Sequence, residues 1–449
     1  MATSEAVPLV VVEGFLSGAG ALVWGNFESH SNYACRSNGE KDRRTIFAVV
    51  GPVSSLHDRA CELFYSLVGG TVDYGEKHAE EYGHDRFGRT HEVGLYPEWS
   101  VDHPLHFFGH SLGGQTIIKL QWMLSTGFFG RRYHPDMILS VNSVSTPFRG
   151  TQLVYALGEE TQHAPDVRPF SAGDLLAKGV HIAAYLSPLL PSFLDPGVDY
   201  RKLSFRHASF TSFLGQLWKS DWAESRDAAP YDVTFDAASD REAVEEGAVN
   251  ANTYYRSYCA TLSHTDGSAP STSRATSLVQ KMLAWPLYFS SWTIASFPFS
   301  SLRPIPAFIS TLASAYSASI HNEKTQTQDG IIDVDRAGSY LSTALRANDG
   351  VVPLFSQWHP FECKFTSCRH FSHSDSILGW DETRYGRPPD AGVWHVHHLK
   401  DAHHLSIAPF WLGTAEQEAF WKDMGHWLRC IDGVRRSPRC ETGSTATSR

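Results

Sequence analysis

Residues Leu105 to Leu124 read LHFFGHSLGGQTIIKLQWML. An apolar run enters the turn Gly109-His110-Ser111-Leu112-Gly113 and leaves on residues with helical spacing. This feature constrains the fold more than any other in the chain. A buried strand passing straight into a helix belongs to a sheet of parallel strands with helices on its faces. The turn fits G-x-S-x-G, in which a serine sits on a tight strand-to-helix corner and its neighbours must nearly lack side chains. The following helix aims its positive end at that corner and favours a developing anion. Ser111 is therefore the candidate nucleophile. An ordinary glycine-rich turn is the plainer reading of the same residues.

The rest of the chain supports this architecture. VPLVVVEG (7–14), TIFAVVGP (45–52) and DMILSVNSVSTP (136–147) read as further buried strands. DRACELFYSLVGG and GGQTIIKLQWMLSTG read as helices between them. NTYYRSYCATL (252–262) looks like a return to the sheet after amphipathic segments rich in Leu, Phe and Trp. We expect one domain over residues 1–435, with a helical insertion over the sheet at about 158–245, a second apolar insertion at about 268–328, and a disordered Ser/Thr-rich tail at 436–449. The aromatic stretch Ala284–Leu302 has the length of a membrane span, but Pro286, Pro298 and its serines favour a cap over an apolar groove, with an interfacial segment between the two.

A net charge of −10 argues against nucleic acid as a partner. Seven cysteines do not make a disulfide framework, although Cys363/Cys368 and Cys430/Cys440 are close enough in sequence for one or two bridges. The chain opens without a basic and then apolar leader. The expectation is an intracellular protein if Met1 is the native start, and a secreted one if a signal peptide was removed. Monomer and weak homodimer both fit.

A serine hydroxyl needs a base, and the base needs an acid to orient it. In the chain order Ser, Asp, His, the acid belongs in a turn after a late strand. Asp349 in LRANDGVVPLFSQ is the best candidate, and Asp329 in TQDGIIDVD resembles it locally. Either can be a plain Asp-Gly turn. The base should follow nearer the C-terminus, where His395, His397, His398, His403 and His404 all qualify and spacing does not choose. The oxyanion of a tetrahedral intermediate needs two backbone donors, expected from the amides of Leu112 and Phe15.

A second cluster lies in SSLHDRACELFYSLVGGTVDYGEKHAEEYGHDRFGRT (54–90). His78 and His84 with Asp58 form a ligand set that suits zinc. By composition alone, solvated polar helices are the commoner outcome.

Residues 49–90 closely resemble the matching segment of the zinc-containing thermoalkaliphilic bacterial lipases, which carry a near-identical GP-SS--DRACE---LVGGTVDYG--HA---GH-RFGRT run. GHSLGGQT resembles their HSQGGQT elbow, and Ser145-Thr146-Pro147, Asn252–Tyr255 and Asn348-Asp349-Gly350 match further short runs. The likeness spans most of Val7 to about Pro409, densely over the first 150 residues. It implies an α/β-hydrolase fold with a mostly parallel sheet, helices on both faces and a zinc-tethered helical lid. It implies Ser111, Asp349 and His404 as nucleophile, acid and base, with Phe15 and Leu112 as oxyanion donors. It implies Asp58, His78, His84 and Asp232 as ligands of one structural zinc, Asp232 being matched through APYDVT.

The departures matter too. Glu13 replaces the family's His before Gly14-Phe15, and Leu112 replaces a Gln. Ser406 and Trp411 stand at or near the family's calcium ligands, so no structural calcium is expected. The function implied is a serine carboxylic-ester hydrolase, foremost a triacylglycerol lipase working on lipid or ester substrate at a lipid–water interface. The rivals are a soluble esterase, phospholipase or polyester hydrolase on the same machinery, a metallohydrolase, and a non-catalytic lipid-binding relative.

Overall fold

Strand β1 (Leu9–Val12) is buried on both sides, and its alternation divides the protein into two layers. Val10 and Val12 face one core and Leu9 and Val11 the other. Side chains alternate across a strand, so a central strand in a two-sided sheet must be apolar throughout. The computed structural model describes residues 5–436 apart from 19, 192–193, 263–277, 303–304, 310–345 and 372–388. Among the described residues, β1, β2 (Thr45–Phe47), β5 (Leu105–His110), β6 (Ile138–Val144), β7 (Tyr254–Thr261), β8 (Cys368–Phe371) and β9 (Trp394–Lys400) form a sheet of order β2-β1-β5-β6-β7-β9-β8. Every pairing in it is parallel. The expected mostly parallel sheet with helices on both faces is what forms.

One face is covered by the helices Leu56–Val68 and Leu112–Ser125. Their Leu63, Leu67, Ile117 and Leu120 pack with Val10, Val12 and Phe107. The other face carries the C-terminal helix Ala415–Arg436, whose Trp421, Met424, Trp427 and Leu428 meet Leu9, Val11 and Phe108. Polar anchors fix that helix. Arg43 Nη2 lies 2.8 Å from Asp432 Oδ2, and His106 Nε2 lies 3.0 Å from Asp432 Oδ1. Tyr258 Oη donates to Asp423 Oδ2 at 2.8 Å, and Arg256 Nη2 lies 2.8 Å from the same oxygen. A buried charge is tolerated only when paired in this way.

A separate antiparallel ribbon, β3 (Gly70–Asp73) with β4 (Phe87–His91), was not expected from the sequence. It carries no long apolar run, because much of it faces solvent. The expected helical insertion contains the helices Ala172–Leu186 and Phe210–Trp218. Within the stretch singled out at Ala284–Leu302, the helix Leu278–Ala295 runs through Pro286 and ends before Pro298. No helix among the described residues is long and apolar enough to cross a membrane. Asp329, Cys440, residues 437–449 and much of the second apolar insertion lie outside the described residues.

Candidate active site

The serine corner is built by close backbone approach. Ser111 has φ 54° and ψ −128°, values an L-residue adopts only at a steric cost. Its amide donates to Val144 O at 2.9 Å, holding the corner to β6. A Cβ at Gly109 would lie 2.4 Å from the Gly114 nitrogen, and one at Gly113 would lie 2.0 Å from the Val12 carbonyl oxygen. A Cβ at Gly14 would lie 2.8 Å from the Ser111 Cβ, so the loop after β1 passes directly beside the serine. Each of these glycines is present because strand, helix and loop meet within a single side chain's thickness.

Asp349 and His404 come together at the carboxyl ends of β7 and β9. Asn348 O accepts from Leu262 N at 2.9 Å, which holds the acid turn to the chain just past β7. Asp349 is fully buried, and its Oδ1 accepts from the amides of Val351 and Val352 at 2.9 and 2.7 Å. Its Oδ2 lies 2.9 Å from His404 Nδ1. The His404 amide donates to the Asp349 carbonyl at 2.8 Å. The His404 carbonyl accepts from His110 Nε2 at 2.9 Å, and the two rings lie 4.9 Å apart. The base candidate is thus tied to the residue that precedes Ser111. In open α/β sheets, ligands bind outside the carboxyl ends of the strands.

The other histidines have different surroundings. His395, His397 and His398 lie on β9, a strand that the apolar runs of the sequence do not announce. Burial holds His395 and His403 down to about 4 and His397 well below its usual range. His397 stacks on Phe371, and His395 packs against Trp427.

Phe15 and Leu112 also meet. Phe15 packs against the small cluster formed by Leu56, Leu112 and Ala229. Among the described residues neither amide has a protein acceptor, whereas the next amide, Leu16 N, donates to Pro52 O at 2.9 Å. Glu13, the departure noted in this loop, is buried and accepts from Trp24 Nε1 at 2.8 Å and from Gly20 N at 3.2 Å. Arg59 braces the same loop by donating to Gly51 O at 2.7 Å and also to Glu13 O.

Asp58, His78 and His84 converge as expected, but the fourth member of their cluster is Asp227. Asp232 is the correction. Its Oδ2 accepts from Leu56 N at 2.7 Å at the start of the helix that carries Asp58, and its Oδ1 lies 3.8 Å from Arg241 Nη1. Burial raises its carboxyl to about 7. Asp227 precedes the short helical turn Ala229–Asp232 and Asp232 ends it, so the two aspartates face different partners.

In the cluster, His78 Nε2 lies 3.2 Å from both Asp58 Oδ1 and Asp227 Oδ1, and His84 Nε2 lies 3.4 Å from Asp227 Oδ2. Donors around a tetrahedral zinc stand about 3.3 Å apart. Both carboxylate oxygens of Asp58 and the Nε2 atoms of His78 and His84 are buried without a hydrogen-bond partner among the described residues. The Nδ1–H of His84 donates to Asp85 O at 2.8 Å and leaves the Nε2 lone pair facing the cluster. Burial opposes the imidazolium of His78, but Asp227 and Asp58 outweigh it and lift its pKa to about 9. The carboxylate pair therefore attracts a cation at this point. The structure supports a metal cluster, and the residues fit a zinc-type ion. A second cluster, His359, Cys363, Cys368 and His370, went unrecognised in the sequence, where Cys363 and Cys368 suggested only a disulfide.

Comparison with known proteins finds lipases. The family model for the lipase-like C-terminal domain matches residues 5–131. A lipase of Staphylococcus hyicus is 30% identical over 282 residues, covering 57% of this chain and 41% of the relative. Lipase 1 of Staphylococcus aureus is 29% identical over 283 residues, covering 57% and 38%. The matched stretch is thus well under half the length of these relatives. The crystal structure of Staphylococcus hyicus lipase superposes with a TM-score of 0.63 at 23% identity, covering 96% of this chain and 97% of that one. Lipase 1 from Pelosinus fermentans gives 0.55 at 24% identity, covering 97% and 100%. The solved structures share the fold, and the sequence matches make the chain similar to bacterial lipases over part of its length.

Proposed function

We propose that the protein is a serine carboxylic-ester hydrolase, most fittingly a triacylglycerol lipase. The single observation that carries the reading is the buried Asp349–His404 pair tied through His110 to a serine with φ 54°. Ser111 Oγ attacks the ester carbonyl while His404 takes its proton. Asp349 holds the imidazole with Nδ1 protonated, so that Nε2 acts as the base. The amides of Phe15 and Leu112 receive the oxyanion. His404 then returns the proton to the leaving alcohol, and water cleaves the acyl-enzyme by the same route. The relatives named lipase support this substrate class.

The proposed domain is one hydrolase unit over 1–435, with residues 158–245 as a helical lid over the site and 268–328 as a second apolar insertion. Lids of this kind open to admit substrate. Exposed Leu175, Ile182, Phe210 and Trp218 in the first insertion support this. So does the helix Leu278–Ala295, which exposes Trp285, Phe289 and Trp292 on one side. The same helix touches the acid turn, because Asn348 Nδ2 donates to Ser291 O at 3.1 Å. Such a face, rich in amphipathic aromatics, suits a lipid–water interface. Zinc held by Asp58, His78, His84 and Asp227 would fasten the insertion to the sheet side; a closed four-ligand site supplies structure, not an activated water.

The test is hydrolysis of a long-chain p-nitrophenyl ester and labelling by a fluorophosphonate. Wild type should turn over and be labelled, and Ser111→Ala should do neither. Turnover by Ser111→Ala at the wild-type rate would refute the mechanism.

A further inference from the structure

We propose that His359, Cys363, Cys368 and His370 form a second, structural zinc site of the Cys2His2 type. The site is independent of the ester chemistry. Its four donor atoms all lie within 4.8 Å of one another. Cys363 Sγ is 3.6 Å from His359 Nε2 and 3.5 Å from His370 Nε2. Zinc–sulfur bonds of about 2.3 Å and zinc–nitrogen bonds of about 2.05 Å at the tetrahedral angle give a sulfur–nitrogen edge of about 3.6 Å. Cys363 and the two imidazoles therefore already stand at the spacing that one ion imposes, with Cys368 within 4.8 Å of them.

The supporting contacts point the same way. His359 Nδ1 lies 2.7 Å from the Phe361 carbonyl oxygen, which can only accept. The Nδ1–H therefore donates, and Nε2 presents its lone pair to the cluster, the usual arrangement of a metal-ligating histidine. His359 is buried, and Trp358 packs edge-on to the ring of His370. A disulfide between the two cysteines would use neither imidazole. Binding a zinc ion releases the two thiol protons and uses all four donors.

The site has a clear mechanical role. Among the described residues β8 is a four-residue edge strand of the sheet, paired to β9. Cys368 and His370 lie on it, and His359 lies two residues beyond the turn of helix Leu354–Gln357. Within that turn Gln357 Nε2 donates to Val352 O at 3.0 Å, and Val352 N donates to Asp349 Oδ1. A closed site here fixes the sheet edge to the segment that braces the acid turn.

The experiment uses the full chain under reducing conditions. Metal analysis of the purified protein should fall by one zinc equivalent in Cys363→Ser and in Cys368→Ser. The wild-type chain reconstituted with cobalt(II) should show a sulfur-to-cobalt charge-transfer band, which the oxygen–nitrogen cluster around Asp58 cannot give. Asp227→Asn should keep that band and Cys363→Ser should lose it. The wild-type spectrum stands even if a cysteine variant fails to fold. Recovery of a Cys363–Cys368 disulfide from protein kept unreduced, or two free thiols with no charge-transfer band after cobalt loading, would overturn the proposal.

Discussion

His404 is held to Asp349 at two points, ring to carboxylate at 2.9 Å and amide to carbonyl at 2.8 Å. The second contact is main chain to main chain, so the loop after β9 stays docked when the carboxylate is altered. Asp349→Asn should therefore leave the melting temperature close to wild type, since the amide oxygen can still accept from Val351 and Val352. It should lower kcat on the order of 10⁴-fold, by removing the charge that steadies the imidazolium and by misorienting the ring. Stopped-flow ester hydrolysis and thermal melts measured together check both halves.

The two glycines 113 and 179 should behave oppositely. A Cβ at Gly113 would lie 2.0 Å from the Val12 carbonyl oxygen, so Gly113→Ala forces the elbow helix off β1. The expected cost is about 3 kcal/mol or more, with loss of activity. Gly179 sits in the helix Ala172–Leu186 with nothing within 4 Å of its Cβ direction. There Gly179→Ala should stabilise by about 0.5–1 kcal/mol. Chemical denaturation curves give both values.

Metal retention separates the two aspartates of the insertion. Asp227→Asn and His84→Ala should lose the ion held near Asp58, whereas Asp232→Asn should keep it, because its amide oxygen still accepts from Leu56 N. Chelation of wild type should lower the melting temperature, each kcal/mol lost being worth about 1 °C in a chain of this size. Activity assayed well below that temperature should persist. Immediate loss of turnover with an unchanged melting temperature would count against a structural ion.

Acid stability should depend on Asp432. Burial opposes its ionisation, but Arg43 and His106 outweigh that and hold the carboxyl down to about 2. A depressed acid stabilises the fold above its unfolded value near pH 4, and that contribution is lost as pH falls from about 4 to 2. The melting temperature of wild type should drop across that window more steeply than that of Asp432→Asn. At pH 7 the variant should be less stable by about 3–5 kcal/mol, because Arg43 is left as an uncompensated buried charge. Calorimetry of both proteins from pH 2 to 7 tests the sign.

The sequence by itself determined the local pieces. The strand runs at Leu9–Val12, Leu105–His110 and Ile138–Val144, the serine corner and the Leu56–Val68 helix were legible because each is specified by residues next to one another. Apolar periodicity and glycine spacing are short-range signals. Asp349 is already the best acid candidate by its turn, and the resemblance chooses it over Asp329 and chooses His404 from among five histidines; the structure brings the two within 2.9 Å. The solvent-facing ribbon β3–β4 and the assignment of His395, His397 and His398 to a strand were not legible, because exposed or histidine-rich strands lack the apolar signature. Only the tertiary structure chose Asp227 over Asp232, since a shift of five residues across a short turn reverses which aspartate meets His78. It also joined His359 to Cys363, Cys368 and His370, because a parallel edge strand and a returning loop supply the ligands and no local spacing announces their meeting.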